Sequence, residues 1–385
     1  MPEAFLVDAV RTPAGRNGGR LADWHPAELG ALTMASVLER TGVDPAVVDD
    51  VHFGCVNQIG PQTSCIARTA WLTAGLPEHV PGVTIDRRCG SSLQAAQFAA
   101  TTVMAGVADV IVAGGVEAMS TVPLGSPRVV TLPDQSEPLP SPFDADGWRE
   151  RYGGVEPSQF RGADMIVERW ELERDHLEDL AQASHERAAA AWDEGRFDAE
   201  MCATPGIDRD EGIRVPVDRG KMASLAPLAE GGVITAALSS QVSDGAAALL
   251  VASEDAVDRY DLEPLARFHT MAVAADDPII MLTAPIPATR KALGKAGLTV
   301  EDLDVVEVNE AFASVLAACE ADLGLDREQV NVNGGAMALG HPLGATGAKI
   351  LTTLAHELAR RKGRYGLATL CEAGGQANAM ILERV

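Results

Sequence analysis

The sequence predicts an α/β protein made of two similar βαβ-rich halves with a loop-rich insertion, and three observations carry that reading. Short β-rich runs, "FLVDAV", "DVHFGCV", "VTID" and "DVIVAGG", are separated mostly by segments whose apolar residues recur at helical spacing. The last third of the chain repeats the style of the first. Between Ser120 and Phe160 the pattern gives way to a stretch rich in Pro, Ser and Gly. Alternating strands and helices of this kind imply a mostly parallel sheet covered on both faces.

Taken in order, "TIDRRCGSSLQAAQFAA" is an extended run passing into a helix. Leu93, Ala96, Ala100 and Val103 share one face, and Ser91 or Ser92 is placed to cap the start. "IVAGGVEAM" then reads as a strand–Gly–Gly hairpin. An irregular stretch as long as 120–160 inside a compact protein is usually a functional loop region. "ELERDHLEDLAQASHERAAAAWDEG" reads as an amphipathic helix ending at Gly195. Regular patterning resumes after Thr235 with "GAAALLVAS". In the second half, "DVVEVNEAFASVLAACEADLG" is strand then helix, and "VNVNGGAMALGHPLGATGAKILTTLAHELARR" is strand, glycine-rich turn and helix. "YGLATLCEAGGQANAMILERV" closes the chain as a strand, a tight glycine turn and another strand. The expected division is residues 1–118 with 241–265, a loop and insertion region 119–240, and residues 266–385.

The chain has 385 residues, of which 46% are apolar and 22% charged, a composition ordinary for globular proteins. Its formal charge of −24 argues against general affinity for nucleic acid or an anionic membrane. An anionic substrate must therefore meet a local basic cluster. No apolar run reaches membrane-spanning length, the amino terminus has no signal-peptide pattern, and "ILERV" is no peroxisomal address. A cytoplasmic location is expected.

Six cysteines stand at 55, 65, 89, 202, 319 and 371, with no C-x-x-C pair, so zinc and thioredoxin-type readings fall away. Cys55, Cys65, Cys202 and Cys319 read as small buried hydrophobes. Cys89 is different, because a thiol at a helix N-terminus is expected to have a lowered pKa. Packing and nucleophilic roles both stay open for it. His341, in "ALGHPLGATG", is either a turn histidine bonded to backbone or a base able to take a thiol proton. Cys371 is either a packed core residue, the default reading, or a site residue, since it ends a strand beside a Gly–Gly turn at the sheet edge where α/β sites collect. Asn309 is either a helix N-cap or a site residue. The glycine-rich run "GGAMALGHPLGATGAK" lacks G-x-G-x-x-G and G-K-[ST], and no G-x-S-x-G occurs.

Taken together, these segments resemble the thiolase family over nearly the whole chain. Cys89-Gly90-Ser91, Asn309-Glu310-Ala311-Phe312 and Gly340-His341-Pro342 match three of its four signatures in family order. The fourth departs: Cys371-Glu372-Ala373-Gly374 has Ala where the family usually has Gly. The resemblance implies five layers, α-β-α-β-α, and a cysteine nucleophile, Cys89, that carries the acyl group as a thioester. It implies that His341 takes the Cys89 proton, that Cys371 moves the second proton, and that Asn309 holds a water beside the thioester oxygen. The backbone amides of Cys89 and Ala373 would form a second oxyanion pocket, provided that Ala373 has a negative φ. Coenzyme A is the implied cosubstrate rather than a bound cofactor, with Arg214 near its adenine end and Ser240 on its pantetheine arm. "DEGIRVPVDRGK", with Arg214, Arg219 and Lys221, is the candidate phosphate cluster, or else a solvated loop. No metal is implied.

The activity expected from the likeness is cleavage of 3-ketoacyl-CoA to acetyl-CoA and a shortened acyl-CoA. "DRRCGSSLQAAQFAA" and "CEAGGQANAMILE" are similar to bacterial thiolases of steroid degradation. The rivals are acetoacetyl-CoA synthesis by the same residues, and a catalytically silent CoA-binding scaffold subunit. The family also implies a homodimer or homotetramer.

Overall fold

The computed structural model describes residues 2–385. The first half contains β1 (Ala4–Arg11), β2 (Gly15–Arg16), α1 (Pro26–Thr41), β3 (Asp50–Gly54), α2 (Ile66–Thr73), β4 (Val83–Ile85), α3 (Ser91–Met104) and β5 (Val110–Ala118). The insertion carries α4 (Asp146–Tyr152), α5 (Gln159–Arg169), α6 (Arg174–Asp193) and α7 (Arg219–Ser224). Then β6 (Ser243–Ser253) and α8 (Glu254–Arg259) return to the first half. The second half has β7 (Ala266–Ala275), α9 (Pro285–Ala296), β8 (Val305–Val308), α10 (Ala313–Leu323), α11 (Ala336–Leu339), α12 (Thr346–Arg361), β9 (Tyr365–Glu372) and β10 (Gln376–Arg384).

The strands run in the order β4-β3-β5-β6-β1, then β7-β10-β9-β8. Within the sheet, the halves are joined where Phe5 and Leu6 of β1 pair with Arg267 and Ala266 of β7. Each half repeats one topology. The pair β3–β5 is parallel, as is β8–β9, and each continues into two antiparallel neighbours. The sheet is thus mixed, not mostly parallel, because β6 and β10 reverse direction between parallel cores and the β1–β7 seam.

Strict alternation along the strands explains the layers. In β6, Ala246, Ala248, Leu250 and Ala252 face α1 and α2, whereas Ala247, Leu249 and Val251 face α3 and α12. In β10, Ala377, Ala379 and Ile381 face α9 and α10, whereas Met380 and Leu382 face α3 and α12. A strand covered on both sides is apolar on both sides, which is why these runs lack polar alternation. The result is the expected five layers, with α3 and α12 buried in the middle. Helix α6 starts and ends as its pattern implies, with Gly195 in the left-handed region just beyond it.

Two local expectations fail. "IVAGGVEAM" is one uninterrupted strand, because Gly114 and Gly115 pair with Ala248 and Ala247 of β6. A Cβ on Gly115 would collide with the Gly344 carbonyl, so glycine there serves close packing, not a turn. "VNVN" forms no strand beyond a single bridge from Val330 to Val306, because Asn331 takes φ 46° and spends its amide on the Val308 backbone.

Candidate active site

Helix α3 begins at Ser91, as the spacing indicates, but neither serine caps it. Gly90 is the N-cap and makes no side-chain cap bond. The Ser91 hydroxyl instead turns back, accepting from the Arg87 N–H at 2.9 Å and donating to the Arg88 carbonyl at 2.5 Å. With Arg88 at φ 51°, this forms a tight turn that delivers Cys89 to the helix start. Such a non-glycine conformation costs about 1–3 kcal/mol and persists where surrounding structure enforces it.

The two halves meet at this point. In the first turn of α12, the Ala348 N–H donates to Ser92 Oγ of α3 at 2.9 Å, so the N-terminal turns of the two central helices touch. Cys89 packs with Val56, Met119 and Leu343, the last only two residues beyond His341. From the other side, the β9–β10 hairpin reaches α3 through Asn378, whose amide donates to Gln94 and Gln97 at 3.0 and 2.9 Å. Glu372, the neighbour of Cys371, lies against Gly90, the neighbour of Cys89, and a Cβ at Gly90 would collide with its carboxylate. The Cys89, His341 and Cys371 segments therefore converge.

His341 is buried, and its tautomer follows from its partner. Thr346 Oγ lies 2.6 Å from His341 Nδ1 and 2.8 Å from the Pro342 carbonyl. A hydroxyl has one proton. Donating it to the carbonyl leaves the oxygen to accept from Nδ1–H. The other nitrogen, Nε2, is then an unprotonated acceptor, and it has no partner among the described residues. The ring is thus not a turn histidine bonded to backbone. Burial, with the nearby Lys349 ammonium second, lowers the His341 pKa to about 3, so the ring is a neutral base.

Cys89 departs from expectation. Burial, with Glu372 second, pushes its thiol up to about 12 and outweighs the helix N-terminus. The resting pair is thus neutral thiol and neutral imidazole, not thiolate and imidazolium. Cys371 is also held well above the ordinary thiol range, first by burial and then by the proximity of Cys89.

Asn309 is not a helix cap, because α10 starts at Ala313 with Phe312 as its N-cap. Its N–H donates to the Thr369 carbonyl of β9, while both side-chain amide atoms are buried without a protein partner. Ala373 is not among the residues with positive φ; the left-handed positions of the hairpin fall on Gly374 and Gly375, at 91° and 74°. Alanine therefore replaces glycine here without left-handed strain. Ser240, half-buried, donates its N–H to the Ala311 carbonyl at 2.9 Å. Arg214 is exposed, and its N–H donates to Nδ1 of the buried His185. Nearby, Gln241 bonds the Gly212 carbonyl, linking the Arg214 loop to the Ser240 segment. In the same basic run Arg219 is occupied by Asp179 and Glu178, so it is not free for phosphate. Cys55, Cys202 and Cys319 are buried as expected, but Cys65 is half-buried at the start of α2 with φ 58°.

Sequence reasoning missed the residues that hold this arrangement. Glu310 accepts from Ser184 Oγ, the Asn331 amide and the Met337 N–H at 2.6, 3.0 and 3.1 Å, tying the Asn309 turn to α6 and to α11 just before His341. Glu117 accepts from the Val56, Asn57 and Gly344 N–H groups and from Gln62, clamping the Cys89 pocket wall to the His341 turn. Lys349 donates to the Leu339 and Gly340 carbonyls at 2.9 and 3.0 Å. The available signal was a charged residue inside an otherwise apolar run, as in "VEVNEAFASV".

Residues 4–255 match the thiolase N-terminal domain and residues 262–384 the thiolase C-terminal domain. Steroid 3-ketoacyl-CoA thiolase FadA6 of Mycobacterium tuberculosis is 52% identical over 392 residues, spanning all of this chain and 95% of that protein. The 3-oxoadipyl-CoA/3-oxo-5,6-dehydrosuberyl-CoA thiolase of Escherichia coli is 40% identical over the full length of both. Among solved structures, human mitochondrial 3-ketoacyl-CoA thiolase in complex with CoA superposes with a TM-score of 0.89 at 36% identity, covering 100% of this chain and 98% of that one. Bacillus anthracis acetyl-CoA acetyltransferase gives the same TM-score at 36% identity, covering 100% and 99%. Among the described residues, no helix is long and apolar enough to cross a membrane.

Proposed function

The chain belongs to the thiolase family of acyltransferases, and from that premise we propose that it cleaves 3-ketoacyl-CoA with CoA, giving acetyl-CoA and an acyl-CoA two carbons shorter. The observation that carries the reading is the free Nε2 of His341, its tautomer set by Thr346, beside the segment that bears Cys89.

In the first step Nε2 takes the Cys89 proton as sulfur attacks the 3-keto carbon. A neutral thiol gives up its proton only as the new bond forms, and a neutral imidazole is ready to receive it. The bond between C2 and C3 then breaks, leaving the acyl group on Cys89 and an acetyl-CoA enolate. Cys371 protonates the enolate carbon, which requires a thiol that is still protonated at working pH. In the second step the CoA thiol loses its proton to Cys371 and displaces the acyl group, and the departing Cys89 sulfur takes its proton back from His341.

Two oxygens carry negative charge in turn. His341, once protonated, and a water held by the unpartnered Asn309 amide serve the thioester oxygen of the enolate. The N–H groups of Cys89 and Ala373 serve the acyl oxygen. Fixed donors of this kind contribute about 2.7–4 kcal/mol each. We place Ser240 beside the pantetheine arm and Arg214 at the adenine end, supported by the link between their loops. Residues 119–240 form the proposed insertion that selects the acyl chain. Similarity to the steroid thiolase supports a bulky, ring-bearing acyl group over acetoacetyl-CoA. A cytoplasmic homodimer or homotetramer completes the proposal.

The test is to incubate the protein with acyl-CoA, map the modified peptide by mass, and compare thiolysis of ring-bearing 3-ketoacyl-CoA with that of acetoacetyl-CoA. Acylation at Cys89 and faster turnover of the bulky substrate are expected. A protein never acylated at Cys89 is the scaffold, and strong preference for acetoacetyl-CoA overturns the substrate assignment.

A further inference from the structure

We infer that Glu372 is a positioning residue for the Cys89 nucleophile: its buried carboxyl, pressed against Gly90 at the start of α3, sets how readily Cys89 gives up its proton. This rests on the reading of Cys89 as nucleophile.

Glu372 is fully buried, and neither carboxylate oxygen has a hydrogen-bond partner. That sets it apart from the other acidic side chains that brace the site, since Glu117 and Glu310 are each surrounded by donors. The Asn378 N–H of the paired strand is near but makes no bond of ordinary geometry. An ionised carboxylate left without donors in such a place is costly, so the group favours its neutral form. Glycine at position 90 is what admits the carboxyl, because a Cβ there would occupy its place. The contact puts a switchable charge one residue from the nucleophile.

The charged and titratable groups around it fix the sign. Arg87, in the turn before α3, acts on Glu372; Arg88 of the same turn and Glu117 of β5 act with Glu372 on Cys89; and Cys371 feels both Cys89 and Glu372. Burial raises Glu372 to about 8, with Arg87 opposing. Below that pH the carboxyl is neutral and leaves Cys89 undisturbed. Above it, the carboxylate opposes a second negative charge on the neighbouring sulfur. The two ionisations are therefore coupled, and loss of the Cys89 proton spreads over a wider pH range than a single site would need. Glu372 thus acts as a brake whose release is tied to its own protonation.

The experiment follows alkylation of Cys89 by iodoacetamide across about pH 6 to 10, by intact mass and peptide mapping, in the parent protein, Glu372→Gln and Glu372→Leu. Both variants remove the ionisation, one keeping the shape and one replacing the carboxyl by an apolar side chain, so either one that folds decides the matter. Each is expected to match the parent below about pH 7 and to alkylate about tenfold faster above about pH 9, without the inflection near pH 8 that ionisation of Glu372 gives the parent. Thiolysis should show the same difference. Variant curves that superimpose on the parent's overturn the inference while leaving the nucleophile in place. A parent protein that acyl-CoA never acylates at Cys89 overturns the nucleophile reading itself, whatever the alkylation curves show.

Discussion

Replacing Thr346 by valine tests how His341 is held in its working tautomer. Valine matches threonine in shape but removes the oxygen that accepts from His341 Nδ1–H at 2.6 Å. The second contact of that oxygen, to the Pro342 carbonyl, matters less, because the same carbonyl also accepts from the Ala345 N–H at 2.9 Å. The loss therefore falls on the imidazole. A buried donor left unpaired costs about 1–3 kcal/mol. If the ring keeps its proton on Nδ1 it bears that cost, and if it moves the proton to Nε2 it no longer has a base facing the thiol. Either way, acylation of Cys89 should slow by about 5- to 150-fold, at about tenfold per 1.36 kcal/mol.

The assay is single-turnover acylation of Cys89 read by mass, with nitrogen-15 NMR of the His341 ring reporting the tautomer. Thr346→Ser keeps both bonds and should stay close to the parent. A folded valine variant that acylates within about twofold of the parent would refute the tautomer argument, since even the low end of the range above exceeds that.

Other predictions follow from the same geometry. Glu310→Gln keeps the volume but removes a charge that accepts three hydrogen bonds, and bonds to a charged group contribute about 1.5–3 kcal/mol. It should lower the apparent Tm and reduce kcat by about tenfold or more, with both measured on one preparation. Lys349→Met removes the cation that helps depress His341 and frees the Leu339 and Gly340 carbonyls. The acid limb of the kcat/KM profile should move to higher pH, and an unchanged limb would remove Lys349 from the account. Glu372→Gln should also alter stability with a definite sign. The parent carboxyl titrates near 4.5 unfolded and about 8 folded, so its stability falls as pH rises between those values. The variant's gain in Tm should be absent near pH 4 and greatest above pH 8.

Much of this arrangement is legible in the sequence, and what is not has a physical reason. The turn before α3 and the tight hairpin after Cys371 are encoded locally, by helical spacing from Leu93 and by Gly374 and Gly375 with positive φ. Caps and close approaches are not. Ser91 has the chemistry of an N-cap, yet its hydroxyl serves the Arg87–Arg88 turn, a choice made by the strained backbone of Arg88. Gly114 and Gly115 have the composition of a turn, yet they lie within β5: the Phe53 ring and the Ala247 carbonyl leave no room for a Cβ at Gly114, and a carbonyl from the other half, that of Gly344, leaves none at Gly115. Glu117, Glu310 and Lys349 escape notice for a related cause. Their partners lie far along the chain, so no short window contains both a charge and what satisfies it. The lowered thiol pKa expected of Cys89 fails on the same ground, since the helix start is visible in the sequence and the depth of burial is not.

That failure changes what the duplicated architecture is for. Because the halves share one topology and stack their central helices, the N-terminal turns of α3 and α12 meet beside Cys89 and His341. Each turn carries the partial positive charge of a helix N-terminus. In a shallow site this would stabilise a resident thiolate. Here burial holds the sulfur neutral, so the positive ends are not spent on the ground state. On the proposed mechanism they remain available for negative charge that appears only during reaction, on the attacking sulfur and on the two oxygens that follow. Binding that strengthens only as the transition state forms is what accelerates a chemical step. On this argument, placing a full positive charge at the pocket wall should raise alkylation of Cys89 in the resting protein while slowing thiolysis, because it would stabilise the thiolate before there is a substrate to attack. Met119→Lys, beside Cys89, is the substitution to make. Alkylation and thiolysis rising together would show that the thiolate, and not the later oxyanions, is what this pocket was built to hold.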